Sequence, residues 1–240
     1  MCEVARDFRQ NGGVLPANVR SIDCAKKACA GKGCPAAGRL MSYPLLPTDA
    51  DKGSLAPIRI GAEFVDDILS PYKPHARYLK SAEITGFRDK SASDTEKGPL
   101  VSAAGRFAIP ESCYIDDTGH FNAVEFNICF NQLAYVMFGK CIEAGILHRL
   151  RSEQVDVLSL PEYKRRQLPA MVIVSMESRY FKQLDSRDFR GEIHIDKISS
   201  VGSAWFFFTS VTFSDAEGVK AKGSVVLAYS PNFVPARHVQ

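Results

Sequence analysis

No run of about 18 consecutive apolar residues occurs in the chain, which excludes a membrane-spanning helix. The opening residues, MCEVARDFRQNGG, lack the apolar segment of a secretory signal. Net charge of one sign is scarce as well. The formal value is only +3, too little, without a concentrated basic patch, to suggest nucleic acid as a partner. Histidine is rare, with 5 in 240 residues, and no Ser-His-Asp or Cys-His-Asp spacing points to covalent catalysis. The cysteines number 7, an odd count, and several fall in segments that read as core or site. Free thiols in a reducing cytoplasm are therefore expected rather than a disulfide framework. There is no internal repeat.

What is present is ordinary globular composition: 45% hydrophobic and 24% charged, neither disordered nor membrane-like. The length suits one domain with a tail. Residues 1–54 are rich in Gly, Pro, Ala, Lys and Asp and read as a flexible extension. Within them lies CAKKACAGKGC, where Cys24, Cys29 and Cys34 have four residues between successive members. Zinc sites usually pair cysteines two to four residues apart and add a fourth ligand. Cys2 could supply one, but no histidine stands near, so no metal is expected. Residues 55–235 form the expected domain.

Hydrophobic periodicity orders that domain. IGAEFVDDILSPY has helical spacing and stops at Ser70-Pro71. YLKSAEITGFR (78–88) and LVSAAGRFAI (100–109) flank a polar loop and read as a hairpin. LPEYKRRQL (160–168) reads as a short amphipathic helix. Four strand-like runs close the chain, at 170–181, 189–200, 203–215 and 218–230. Such long strands suit a strongly curved antiparallel sheet. Wrapped around one apolar helix, it gives an α+β domain.

That helix is TGHFNAVEFNICFNQLAYVMFGK, Thr118 to Lys140. Apolar residues occupy every side of it, so it should be buried. Yet its polar residues fall into two neighbouring seams at about 100° per residue. Glu125 and Gln132 form one; Asn127, Asn131 and Tyr135 form the other. Buried polar groups are costly unless paired. Either they satisfy backbone at sheet edges or a dimer contact, or they line a ligand cleft. Asn122 is an expected N-cap. The backbone N–H groups that follow favour an anion or a polarised carbonyl oxygen. His120, beside that end, could orient a carbonyl or carry a proton. Asp116 and Asp117 read as solvated turn acids.

Gly-His-Phe before a buried helix, after a hairpin and ahead of long strands, resembles the hotdog fold of thioesterases and hydroxyacyl-carrier-protein dehydratases. Dehydratases follow Gly-His-Phe with proline, where this chain has Asn122, and their Pro-containing loop is missing. Many hotdog thioesterases read Asp-x-x-Gly-His-x-Asn, which Asp116, Gly119, His120 and Asn122 fit. More narrowly, SCYIDDTGHFNAVEFNICFNQLAY is similar to the FcoT family of long-chain fatty acyl-CoA thioesterases, with SPY (70–72) and SRYFKQL also related. The resemblance implies Tyr72, Tyr114, Asn122, Asn131 and Tyr135 as polar groups around a thioester. It also implies a homodimer or higher homo-oligomer, the cleft lying at the interface. Similar proteins add glycine to a 2-enoyl thioester on a carrier protein.

Either reaction needs the thioester carbonyl held by donors, which the helix N-terminus around His120–Asn122 and an Asn or Tyr side chain could supply, with Gln132 on the seam beside Asn131 and Tyr135. Hydrolysis needs water and a base, Glu125 or His120. Amine addition needs a base for the amine proton and a cation for the amine's carboxylate, for which Arg179 or Lys182 stands on the strand whose residues resemble the family. The first expectation is fatty acyl thioester hydrolysis, on CoA or acyl carrier protein. The alternatives are conjugate addition of glycine or a similar amine, and non-catalytic acyl-thioester binding. No cofactor, nucleic acid or membrane partner is expected. Phe126, Phe130, Met137 and Phe138 are either tunnel lining or core.

Overall fold

The computed structural model describes residues 57–88, 98–116, 121–150 and 158–230. Glycine- and proline-bounded apolar runs in this part alternate with period two and build seven strands. They are β1 (Ile58–Ile60), β2 (Leu79–Phe87), β3 (Val101–Phe107), β4 (Met171–Tyr180), β5 (Phe189–Val201), β6 (Ala204–Asp215) and β7 (Gly218–Tyr229). All pairings are antiparallel, in the order β1-β2-β3-β5-β6-β7-β4. Helix α1 is Ala62–Ile68 and the long helix α2 is Ala123–Glu143. Two more helices follow, α3 (Ile146–Leu150) and α4 (Leu160–Ala170). The hairpin of β2 and β3 and the four late strands stand where periodicity placed them. Short β1 and α3 carry too few residues to show a period.

The sheet curls around α2, which packs most closely over β2, β3 and β5. This is the hotdog arrangement. One face of each strand builds the core: Val101, Ala103 and Phe107 on β3, Ile193 and Ile195 on β5, and Phe207, Val211 and Phe213 on β6 are all buried. Gly105 lets the helix approach, because a side chain there would meet Leu79 at 2.5 Å and Leu133 at 3.1 Å. An aromatic cluster of Phe107, Phe121, Phe126, Phe189 and Phe213 fills the end under the start of α2, with ring centroids 5.1–6.3 Å apart. The Phe126, Phe130, Met137 and Phe138 side chains are all no more than 1% exposed, so in this chain they are core.

Two strands end the sheet. β1 is three residues long, whereas β4 has ten and, among the described residues, pairs only with β7 and leaves its other edge open.

Candidate active site

Helix α2 begins with a reciprocal cap. The Asn122 side-chain oxygen accepts from the Val124 N–H at 2.7 Å. The Asn122 N–H donates to Glu125 Oε2 at 3.3 Å. Each bond satisfies a donor that a helix end leaves orphaned. Glu125 is only 2% exposed, and its other oxygen accepts from the Ser112 hydroxyl at 3.2 Å. The Asn122 amide also donates to the Tyr114 hydroxyl at 2.7 Å. The Tyr114 side chain is half-exposed, and its hydroxyl, accepting from Asn122, keeps a hydrogen of its own to donate. The loop carrying Ser112 and Tyr114 is fastened by the Cys113 N–H, which donates to the Tyr78 hydroxyl at 2.8 Å. Thus Tyr114, Asn122 and Glu125 converge on one mouth. Glu125 serves there as a helix cap.

A second group lies along the helix. The Asn131 amide donates to the Asn127 side-chain oxygen at 3.1 Å, and both residues are half-buried. Tyr135 follows one turn on, 9% exposed. Tyr72, just after α1, packs half-buried against the same core. Burial, with the neighbouring Tyr135 and Cys129, holds the Tyr72 hydroxyl protonated far above the ordinary tyrosine range. Burial does the same for Tyr135. Neither hydroxyl has a hydrogen-bond partner among the described residues. The backbone carbonyl of Tyr135 is fixed by the Tyr163 hydroxyl at 2.8 Å. Neutral phenols and amides, half-buried or buried, are suited to hold a carbonyl or enolate oxygen.

Two expected site residues are placed elsewhere. Gln132 is fully buried. Its oxygen accepts from the N–H groups of Tyr78 and Leu79, both at 2.9 Å, and its amide donates to the Ala76 carbonyl at 2.6 Å. These bonds pin the 3-10 turn at Pro74–Ala76 and the start of β2 to the helix, so Gln132 is structural. Periodicity gave its direction but could not show that backbone meets it there. Arg179 stands opposite Lys222 on the outer face of β4. It is exposed and bound to Glu177 at 2.7 Å. Strand alternation turns it away from the helix, and Lys182 is exposed too. His120 and Asp117 lie outside the described residues, as do Cys2, Cys24, Cys29 and Cys34.

Sequence reasoning missed Tyr180, Ser178 and Ser112. The Tyr180 ring packs 5.9 Å from Phe126 and 6.5 Å from Phe121, at the mouth of the helix. The same alternation that turns Arg179 out turns its neighbours in, a signal available from the strand pattern. No cluster of metal-ligating side chains occurs among the described residues. No helix there is long and apolar enough to cross a membrane.

The profile of the FcoT-like thioesterase domain matches residues 67–229, which span both polar groups and every strand but β1. The chain belongs to the FcoT-like thioesterase family. It is an enzyme of this thioester-acting hotdog class. A (2E)-enoyl-ACP glycyltransferase of Streptomyces coeruleorubidus is 34% identical over 167 residues, covering 68% of this chain and 92% of that protein. A (2E)-enoyl-ACP glycyltransferase of Mycobacterium marinum is 32% identical over 186 residues, 76% of this chain and 93% of its own. One from Mycobacterium tuberculosis is 31% identical over 188 residues, 77% and 94% of the two chains. Each of these relatives is named for glycyl transfer on a (2E)-enoyl-ACP rather than for thioester hydrolysis.

Proposed function

We propose that this FcoT-like enzyme adds the amine of glycine, or of a similarly small amino acid, to C3 of a 2-enoyl thioester carried on an acyl carrier protein. The observation that carries the reading is the match to enoyl-ACP glycyltransferases along more than nine tenths of their length. The site chemistry is compatible. The amine nitrogen forms a bond to C3, and the C2–C3 π pair shifts so that charge gathers on the thioester oxygen. Neutral donors, Asn131 with Tyr72 and Tyr135, hold that oxygen; one such donor contributes about 2.7–4 kcal/mol. Glu125 or His120 takes the amine proton, and a proton is returned to C2. Tyr114 and Asn122 orient the thioester at the helix mouth. The open edge of β4 supports a homodimer with a sheet continuous across it.

The test is direct. The protein is incubated with saturated and 2-enoyl thioesters, on CoA and on carrier protein, with and without glycine. Mass spectrometry then follows free acid and adduct. Glycine-dependent adduct on the enoyl carrier protein is expected. Acid release with no adduct would instead establish thioester hydrolysis, the activity in the family's description. Tight acyl-thioester binding with neither product would make the protein a non-catalytic binder.

A further inference from the structure

With Arg179 turned outward, the inner face of β4 offers a different group for the amino acid. Ser178 and Tyr180 stand two residues apart, and the Tyr180 hydroxyl donates to Ser178 Oγ at 3.0 Å. Three contacts fix them on the helix side of the sheet. The Tyr180 ring lies against Phe121 and Phe126. Ser178 is paired with Gly223. Phe126 lies directly over Gly223, its ring 2.6 Å from where a side chain would begin. Phe126 follows Glu125 in sequence, and the Glu125 charge, after burial, helps keep the Tyr180 phenol protonated. The hydroxyl pair and the carboxylate therefore share one end of the helix. Tyr180 is 40% exposed and Ser178 half-buried, so a solute can reach both.

From this juxtaposition we infer that the Ser178–Tyr180 hydroxyl pair binds the carboxylate of the amino-acid nucleophile, while its amine faces Glu125. The inference rests on the proposed amine addition. Because Ser178 Oγ accepts from Tyr180, its own hydrogen is free to point at an acceptor. A hydroxyl polarised by a second hydroxyl is a better donor than one alone. An amino acid bound this way presents opposite ends to opposite groups, carboxylate to hydroxyl and amine to Glu125. Arg179 takes no part.

Kinetics with separately varied substrates tests the assignment. In Ser178→Ala and Tyr180→Phe, KM for glycine should rise about tenfold or more, while KM for the enoyl thioester stays within twofold. Glycinamide, which lacks the carboxylate charge, should react equally well with wild type and Ser178→Ala. Arg179→Ala should leave both KM values unchanged. The Phe variant keeps the ring packing, and thermal unfolding of each variant checks that it folds. Unchanged glycine KM in both folded variants, or a rise confined to the thioester, overturns the assignment and leaves amine addition standing. A rise in glycine KM only in Arg179→Ala also overturns it. Absence of adduct from wild type overturns amine addition and this assignment together.

Discussion

At the scale of single residues, the polar groups of the central helix divide by what they touch. Gln132 has its oxygen and its amide engaged by backbone. Gln132→Leu would leave two buried N–H groups and a carbonyl without partners. It should therefore cost roughly 3 kcal/mol or more, each orphaned group contributing about 1–3 kcal/mol, and urea denaturation reads the loss. Among the described residues Asn131 bonds only to Asn127, a neighbour on the same helix. Asn131→Ala should lower the rate of adduct formation by about a hundredfold, as expected for one lost donor to an oxyanion, with little change in the denaturation midpoint. A large fall in stability with activity per folded molecule preserved would assign Asn131 to structure instead. The buried phenols set a pH limit. Tyr72, Tyr135 and Tyr163 are all held protonated above the ordinary value of 10.0, chiefly by burial. A group whose folded value is raised stabilises fully below its unfolded value and loses that contribution as pH rises. The contribution of these phenols to stability should be constant to about pH 10 and decline above it, which thermal melts across pH 8–12 would detect. A melting temperature that stayed level above pH 10 would contradict the burial of these phenols.

At the scale of elements, the spacing between helix and sheet is set by small residues. A side chain at Gly223 would begin 2.5 Å from the Glu177 carbonyl of β4 and 2.6 Å from the Phe126 ring. The carbonyl is backbone and cannot rotate aside. Gly223→Ala should therefore destabilise by about 1–3 kcal/mol, the usual cost of overpacking, and loosen β4 first. Hydrogen exchange should show faster β4 amides; a uniform change along the chain would argue against a local wedge. The elements themselves were largely legible. Long strands and the helix declare themselves by period, and α2 runs on to Glu143 because its later turns are also buried. The site was legible in part. Asn131 and Tyr135 share a seam by arithmetic, and Asn122 is a cap by residue type. Tyr72 and Tyr114 come from distant segments, so only family resemblance indicated them. Arg179 faces outward, opposite Lys222 and bound to Glu177, a direction that strand alternation sets and residue type does not.

At the scale of the whole molecule, the inequality of the two sheet edges matters most. Among the described residues β1 is short, but β4 exposes one backbone edge over Met171–Tyr180 and carries Val174 and, just beyond the strand, Phe181, 48% and 57% exposed. An open edge with apolar side chains is a template for pairing. The inner residues of β4, Ser178 and Tyr180, belong to the candidate site, so association there would bring a second chain beside the helix mouth and narrow its access to water. A two-fold axis normal to the sheet keeps inner faces inner, so Arg179 would stay outside in such a dimer. Light scattering should give twice the 26.4 kDa chain mass. Val174→Asp, which puts a charge on the pairing edge without touching the core, should shift the protein toward monomer. If the partner helps to close the site, adduct formation should fall with the dimer fraction across protein concentrations, and wild type diluted below its dissociation constant should behave the same way. A monomer of full activity would separate the β4 edge from catalysis, and a dimer that survives Val174→Asp unchanged would place association on another surface.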